Sequence, residues 1–328
     1  MNVKTLTAAA AGTAALVLCA LVFAAEGDSY PNRPVKFVVQ SPPGGSHDLL
    51  ARVLAGALSQ SFGTQFFVEN RVGASGNIGT EFVAKSQPDG HTLLFTVDFP
   101  FTINPSVYAQ LPYDPIRDFA PVTLVTSMSF IMLAGPNFPP NSVQELIAFA
   151  KANPGKFNFA SSGTGSQMHL AGEMFNTAAG VHLVHIPYKG FGLGVIDVMN
   201  GKVQITFATA SAAEGYVRSG KLKALAVTGS KRYPGLPELP TLMESGLGPI
   251  NIAAWMGVLA PALTPRVITD RLHAEIVKAI KSKELSKNPV FQGMDIVGAG
   301  RDEFSRRISS DMQFWAPIIK SMGIKADN

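Results

Sequence analysis

The stretch Val35-Lys36-Phe37-Val38-Val39-Gln40-Ser41-Pro42-Pro43-Gly44-Gly45-Ser46-His47-Asp48-Leu49-Leu50 passes from an apolar run, through a glycine turn, into a helical pattern continued by Val53, Leu54, Ala57 and Leu58. A second stretch repeats the plan. Phe157-Asn158-Phe159-Ala160 leads into Ser161-Ser162-Gly163-Thr164-Gly165-Ser166, and a helix follows through Met168, Leu170, Ala171 and Phe175. A helix N-terminus presents N–H groups with no partner inside the helix, together with a partial positive charge. Glycines in the preceding turn let that backbone approach a bound group closely. Two such turns in one chain point to a protein that grips anions, carboxylates above all.

The remaining sequence alternates short strands with helices, the pattern of an α/β fold. Strands are expected at 35–40, 65–69, 92–97, 121–127, 130–134, 157–160, 183–186, 203–207, 222–228 and 252–260. Helices are expected at 46–61, 76–86, 142–152, 166–178, 191–200, 211–219, 265–282 and 301–321. Ser142 with Glu145 makes a capping-box pattern. Thr264-Pro265 sets a cap before a first-turn proline. Gly201 and Gly220 fall where helices should stop.

The chain has 328 residues, more than one hydrophobic core usually organises, so two lobes are expected. Segments 119–136 and 229–250 read as crossings between them, the second rich in Pro and Gly. The first lobe would then comprise 26–127 and 250–328, the second 128–249, with the ligand between them.

Residues 1–25 read as a signal peptide. Met1 and Lys4 give the positive start, Thr5 to Ala25 is almost wholly apolar or small, and Ala24 or Ala25 would precede cleavage. An uncleaved anchor is the alternative. Lipidation of Cys19 would require a small residue where Leu18 stands. Cys19 is the only cysteine, so the mature chain would have no thiol. Cysteine catalysis, iron–sulfur clusters and zinc–thiolate sites then drop out. The net charge is +4 with no run of Lys or Arg, which gives no reason to expect nucleic acid. His182 and His185 would point to opposite faces of a strand and hold no metal. There is no G-x-G-x-x-G, no phosphate-binding Gly-Lys-Ser/Thr and no G-x-S-x-G elbow. No metal or organic cofactor is expected.

Beyond the turns, ordered motifs run along almost the whole mature chain. They include Pro43-Gly44-Gly45-Ser46 with Asp48 and Arg52, Val68-Glu69-Asn70-Arg71, Gly76-Asn77-Ile78-Gly79 and Ile103-Asn104-Pro105-Ser106. Asp118-Phe119-Ala120-Pro121-Val122, Ala152-Asn153-Pro154-Gly155-Lys156 and His185-Ile186-Pro187-Tyr188-Lys189-Gly190 follow. In this order and spacing the chain resembles the Bug/TctC family, the periplasmic receptors of tripartite tricarboxylate transporters. The resemblance implies a two-lobed α/β periplasmic-binding-protein architecture of type II, a Venus flytrap, that closes on a carboxylate. It also implies that the loops matching Pro43 to His47 and Ser161 to Ser166 face each other across the cleft. The chain departs from the family pattern at His47, at Asp98-Phe99-Pro100-Phe101, and at Ala208-Thr209-Ala210-Ser211. Ligand identity therefore does not carry over.

The expected ligand-binding residues are Pro43, Gly44, Gly45, Ser46, His47, Asp98, Phe99, Ser161, Gly163, Thr164, Gly165, Ser166, Tyr188 and Thr209. Ser46 and Ser166 also suit helix capping. His47 would either donate to a carboxylate or face solvent. Asp98 is either a turn residue or a partner for a ligand amine or hydroxyl, and Phe99 either core or a stacking surface for an aromatic acid. Lys189 is expected in solvent. The function expected is a non-catalytic periplasmic receptor, a monomer, that delivers a small mono- or dicarboxylate to the membrane permease of such a transporter. The alternatives are an exported serine hydrolase using Ser46 or Ser166, and a receptor that passes its closed state to a signalling protein.

Overall fold

The computed structural model describes residues 30–164, 166–248, 252–291 and 293–323. The expected signal peptide and Gly165 lie outside the described residues. From the N-terminus the elements are β1 (Val35–Val39), α1 (Ser46–Phe62), β2 (Phe66–Asn70), α2 (Asn77–Ala84), β3 (Thr92–Val97), and two short helices, α3 (Phe99–Thr102) and α4 (Asn104–Val107). Then come β4 (Phe119–Ala134), α5 (Val143–Ala152), β5 (Asn158–Ser161), α6 (Gln167–Ala179), β6 (Val184–Pro187), α7 (Phe191–Met199), β7 (Ile205–Thr209), α8 (Ala210–Arg218) and β8 (Lys223–Val227). The chain closes with β9 (Ala253–Pro261), α9 (Arg266–Ile280), α10 (Lys283–Ser286), β10 (Asp295–Ala299) and α11 (Arg301–Met322).

The strands run in the order β2-β1-β3-β9-β4-β7-β5-β6, with β10 and β8 also paired to β4. The 16-residue β4 is the hub. Its first part, Phe119 to Ser129, lies antiparallel to β9, and Phe130 to Ala134 lies antiparallel to β7. The sequence reads β4 as two strands, because Ser127-Met128-Ser129 interrupts the apolar run. Instead the strand continues and changes neighbours there. The β1–β2 and β1–β3 pairs are parallel, as are β5–β6 and β5–β7.

Each half of the strand system is covered by helices on both faces, so strand residues alternate between two cores. Phe37 packs with Leu50, Leu54 and Leu58 of α1 and with Leu272 of α9. Its neighbour Val38 joins Leu94, Trp255 and Phe304 on the opposite face. In the other half, Met132, Phe159, Phe175 and Phe207 form one core, while Ile131, Ala160, Val195 and Val227 form the other. Full burial of a side chain of this size contributes about 1.5–3 kcal/mol. Helix α11 touches both halves: Phe304 and Ile308 belong to the Val38 core, Trp315 and Ile319 to the Phe159 core. No described helix is long and apolar enough to cross a membrane.

Candidate functional site

In both halves a parallel strand ends in a glycine turn and a helix begins. At the first turn, Gly44 has φ 89, a left-handed conformation that favours glycine. Gly45 is the N-cap of α1, and no side chain caps this helix. Ser46 is therefore the first helical residue, not the cap the sequence offered, and it is exposed. Among the described residues, no N-cap side chain accepts from the first-turn N–H groups of α1. Close by, two buried polar atoms at the end of β1, Gln40 Oε1 and Ser41 Oγ, have no hydrogen-bond partner among the described residues.

The turn is shaped from beneath by Asp48. Its Oδ2 accepts from Gly44 N at 2.9 Å and from Arg52 Nε at 2.9 Å, and its Oδ1 accepts from Asn70 Nδ2 at 2.8 Å. Asn70 Nδ2 also reaches Ser41 O at 2.9 Å. Burial pushes the Asp48 carboxyl up, but hydrogen bonds from Arg52, Gly44 and Asn70 outweigh it and bring it down to about 2. Asp48, Arg52 and Asn70 stand in the sequence motifs, yet their joint role becomes visible only once β2 lies beside the turn.

His47 points inward. The ring is 7% exposed, its Nε2 lies 2.9 Å from Phe95 O, and it packs against the Phe95 ring. Burial brings it down to about 4, so it is neutral at neutral pH and Nε2–H donates to the carbonyl. Of the two alternatives for His47, the solvent-facing one is corrected here: the apolar wall of β3 takes the ring, and Phe95 O takes Nε2.

At the second turn, Ser166 is a true N-cap, its hydroxyl accepting from His169 N. Gly163 has φ 133, and a side chain at Thr164 is exposed. Ser161 is 1% exposed and acts as the pin of the turn. Its Oγ accepts from Gly163 N at 3.1 Å and lies 3.0 Å from Gly163 O and 2.6 Å from His185 Nε2. His185 stacks on His169 with ring centroids 3.6 Å apart, and the Phe159 ring packs beside both, 5.0 Å from His185 and 6.2 Å from His169. Burial brings both imidazoles down to about 4. The β5–β6 register sets Phe159 opposite His185, and this cannot be read from sequence spacing. A serine beside a histidine resembles a nucleophile with its base. Here the hydroxyl is buried and engaged with Gly163, so it works as a scaffold of the turn. No group of three or more His, Cys, Asp or Glu that could hold a metal occurs among the described residues.

The two halves meet at Asp98, just beyond β3. Asp98 is 8% exposed, and its Oδ1 accepts from Gln167 Nε2, the first residue of α6, at 3.4 Å. A cavity of about 20 Å3, room for one water molecule, lies here among Asp98, Phe99, Gln167, Leu170, Arg307 and Trp315. Phe99 is half-buried against the Phe159 core and borders this cavity. Tyr188 gives its N–H to Ser161 O at 3.1 Å and its hydroxyl to Asp197 at 2.8 Å. Thr209 closes β7 and stands at the N-cap position of α8, and Lys189 is exposed.

The sequence profile described as the tripartite tricarboxylate transporter family receptor matches residues 50–324. The chain belongs to this family. Protein BugT of Bordetella pertussis is 37% identical over 299 residues, covering 91% of this chain and 92% of BugT. Among solved structures, R. palustris Rpa4515 with adipate is 32% identical with a TM-score of 0.69, covering 90% of this chain and 99% of that one. MatC of Rhodopseudomonas palustris with bound malate is 27% identical with a TM-score of 0.66, covering 88% and 100%. A TctC solute-binding protein from Polaromonas without ligand is 28% identical with a TM-score of 0.82, covering 89% and 99%. The architecture is that of these solute-binding proteins, a mixed α/β fold on a curled sheet.

Proposed function

We propose that this member of the receptor family is an exported, non-catalytic periplasmic receptor. It captures a small organic carboxylate between two lobes, 26–127 with 250–328 on one side and 128–249 on the other, and hands it to a membrane permease. The observation that carries the reading is the pair of glycine turns, each at a parallel strand end and each opening a helix. The N-terminus of α1, which lacks any side-chain cap, is the sharper of the two. One ligand carboxylate sits against the backbone at Pro43, Gly44, Gly45 and Ser46 and at Ser161, Gly163, Thr164, Gly165 and Ser166. Asp98, Phe99, Tyr188 and Thr209 meet the rest of the ligand. The adipate and malate bound to two relatives support the ligand class.

Charge-assisted hydrogen bonds are worth about 1.5–3 kcal/mol each, so several of them support micromolar binding. A thermal-shift screen of organic acids on purified protein tests this. An acid present at about 100 times its Kd stabilises the fold by roughly 2.7 kcal/mol. At least one carboxylate is expected to raise Tm, and a panel in which none does would contradict the proposal. Intact-mass measurement on periplasmic extract should show a chain lacking Met1 to about Ala25. Full-length mass in the membrane fraction would contradict export by a cleaved signal.

A further inference from the structure

The cavity at Asp98, lined by Gln167 next to the second turn's cap Ser166, differs in chemistry from the two glycine turns. Here a carboxylate, Asp98, projects from one half toward Gln167 of the other, and 3.4 Å separates Oδ1 from Nε2. The charged groups around it come from α11. Arg307 donates Nε to Asp311 Oδ2 at 2.7 Å and Nη2 to Ala253 O at 2.7 Å. Asp311 also accepts from Trp255 Nε1 at 3.0 Å. The guanidinium is thus already neutralised and its Nη2 occupied. It is the only cation among the described residues lining this cavity. The strands β4 and β9 contribute the apolar residues Phe130 and Ala254, Ile252 comes from just before β9, and α6 contributes neutral Gln167 and Leu170. Two carboxylates and one engaged cation therefore confront whatever reaches this end.

The geometry points to a specificity filter: Asp98 selects a carboxylate whose far end carries a hydrogen-bond donor, an ammonium or hydroxyl, over one ending in a second carboxylate. This inference rests on the carboxylate-receptor reading above and names the ligand class within it. A donor at the far end would take the place of the long bond from Gln167 and give Asp98 a full partner. A second carboxylate would meet Asp98 and Asp311 with no unengaged cation to offset them, which costs binding energy in a water-poor cleft. The same residue implies a pH dependence of that choice. Burial first, and then the nearby Asp311, push the Asp98 carboxyl up to about 7, against the lowering influence of Arg307. Above that pH Asp98 is an anion that accepts only. Below it, Asp98 is protonated and can donate to a carboxylate.

Calorimetric titration of wild type and Asp98→Asn with matched pairs tests the filter: β-alanine against malonate, γ-aminobutyrate against succinate, ε-aminocaproate against adipate, with γ-hydroxybutyrate added. One unit above 7, at least one amine- or hydroxyl-bearing acid should bind wild type at least about ten-fold more tightly than its dicarboxylate partner. One unit below 7, the dicarboxylate of that pair should gain affinity in wild type. Asp98→Asn should shrink the preference and abolish the pH dependence. The wild-type pH comparison needs no variant, so a misfolded Asp98→Asn leaves the test intact. A dicarboxylate that binds best above 7 with no change on acidification overturns the filter while leaving the carboxylate reading standing. If no acid of either kind binds, both fall.

Discussion

Replacing His47 with Gln isolates the proton balance of one buried ring. Gln retains an N–H that can reach Phe95 O, but it cannot be protonated. In the folded chain the imidazole sits at about 4, lowered from 6.5. The sign follows from proton counting. Between these values the unfolded chain binds a proton that the folded chain does not, so stability is fully present above 6.5 and is lost as pH falls through 4. The total at stake is about 3 kcal/mol, at about 1.36 kcal/mol per pKa unit. Between about pH 7 and about pH 5 the share lost is about 2 kcal/mol. Urea unfolding of both proteins at these two pH values reads it as a double difference. The cost of the substitution itself cancels, and so do the contributions of His169 and His185. The raised Asp98 carboxyl acts in the opposite direction, favouring the fold on acidification, and it too is common to both proteins. Wild type should lose about 2 kcal/mol more than His47→Gln. A double difference below about 0.5 kcal/mol would refute the buried neutral ring, since surface substitutions alone reach that size.

Gly172 faces the Phe159 ring, and an added Cβ would lie 2.1 Å from Phe159 Cε2. Gly172→Ala should therefore destabilise the fold by about 1–3 kcal/mol, read from the thermal midpoint, with the Phe159–His185 stack disturbed. Asp48→Asn keeps the shape beneath the first turn but removes its charge. It should cost about 1–3 kcal/mol at neutral pH. Because Asp48 lies near 2 in the fold and 3.8 is its ordinary value, that loss should vanish as pH falls toward 2, which acid-unfolding curves would reveal. Thr164→Val should weaken carboxylate binding by about 1–3 kcal/mol. Lys189→Ala, changing an exposed side chain, should leave it nearly unaltered in the same titration.

The α/β alternation is legible because each strand–turn–helix unit carries its own apolar pattern and its own punctuation. Val35 to Leu58 states a strand, a left-handed turn at Gly44 and a helix without help from distant residues. What depends on pairing is not legible. The 16-residue β4 looks broken at Ser127-Met128-Ser129 because the sequence cannot reveal that its neighbours change there. The short β10, with Gly298 inside it, lacks any apolar alternation and exists through its antiparallel contact with β4. Helices α3 and α4 are a turn each and hide in Asp98-Phe99-Pro100-Phe101-Thr102-Ile103-Asn104-Pro105. At the candidate site the glycine turns were readable, whereas their supports were not. Ser161 meets His185 across 24 positions, and Asp98 meets Gln167 across 69, so both contacts belong to strand register and to packing between the two halves of the sheet. His47 shows the reverse limit. A first-turn histidine beside a glycine turn invites a ligand role, but burial against Phe95 decides its direction.

The central claim is that a ligand carboxylate uses the open N-terminus of α1, and Gly45→Ser tests it most directly. Gly45 has φ −75 and ψ 164, which any residue adopts, and a Cβ there meets only Pro42 O, at 3.9 Å. Serine is also a favoured N-cap, so the fold should be as stable as wild type or slightly more so. Its hydroxyl, however, would accept from the same first-turn N–H groups that the carboxylate needs. Calorimetric titration with a carboxylate identified in the thermal-shift screen should show affinity lowered by at least about ten-fold, or ~1.4 kcal/mol, with Tm unchanged or raised. Unchanged affinity in a folded Gly45→Ser protein would contradict the account.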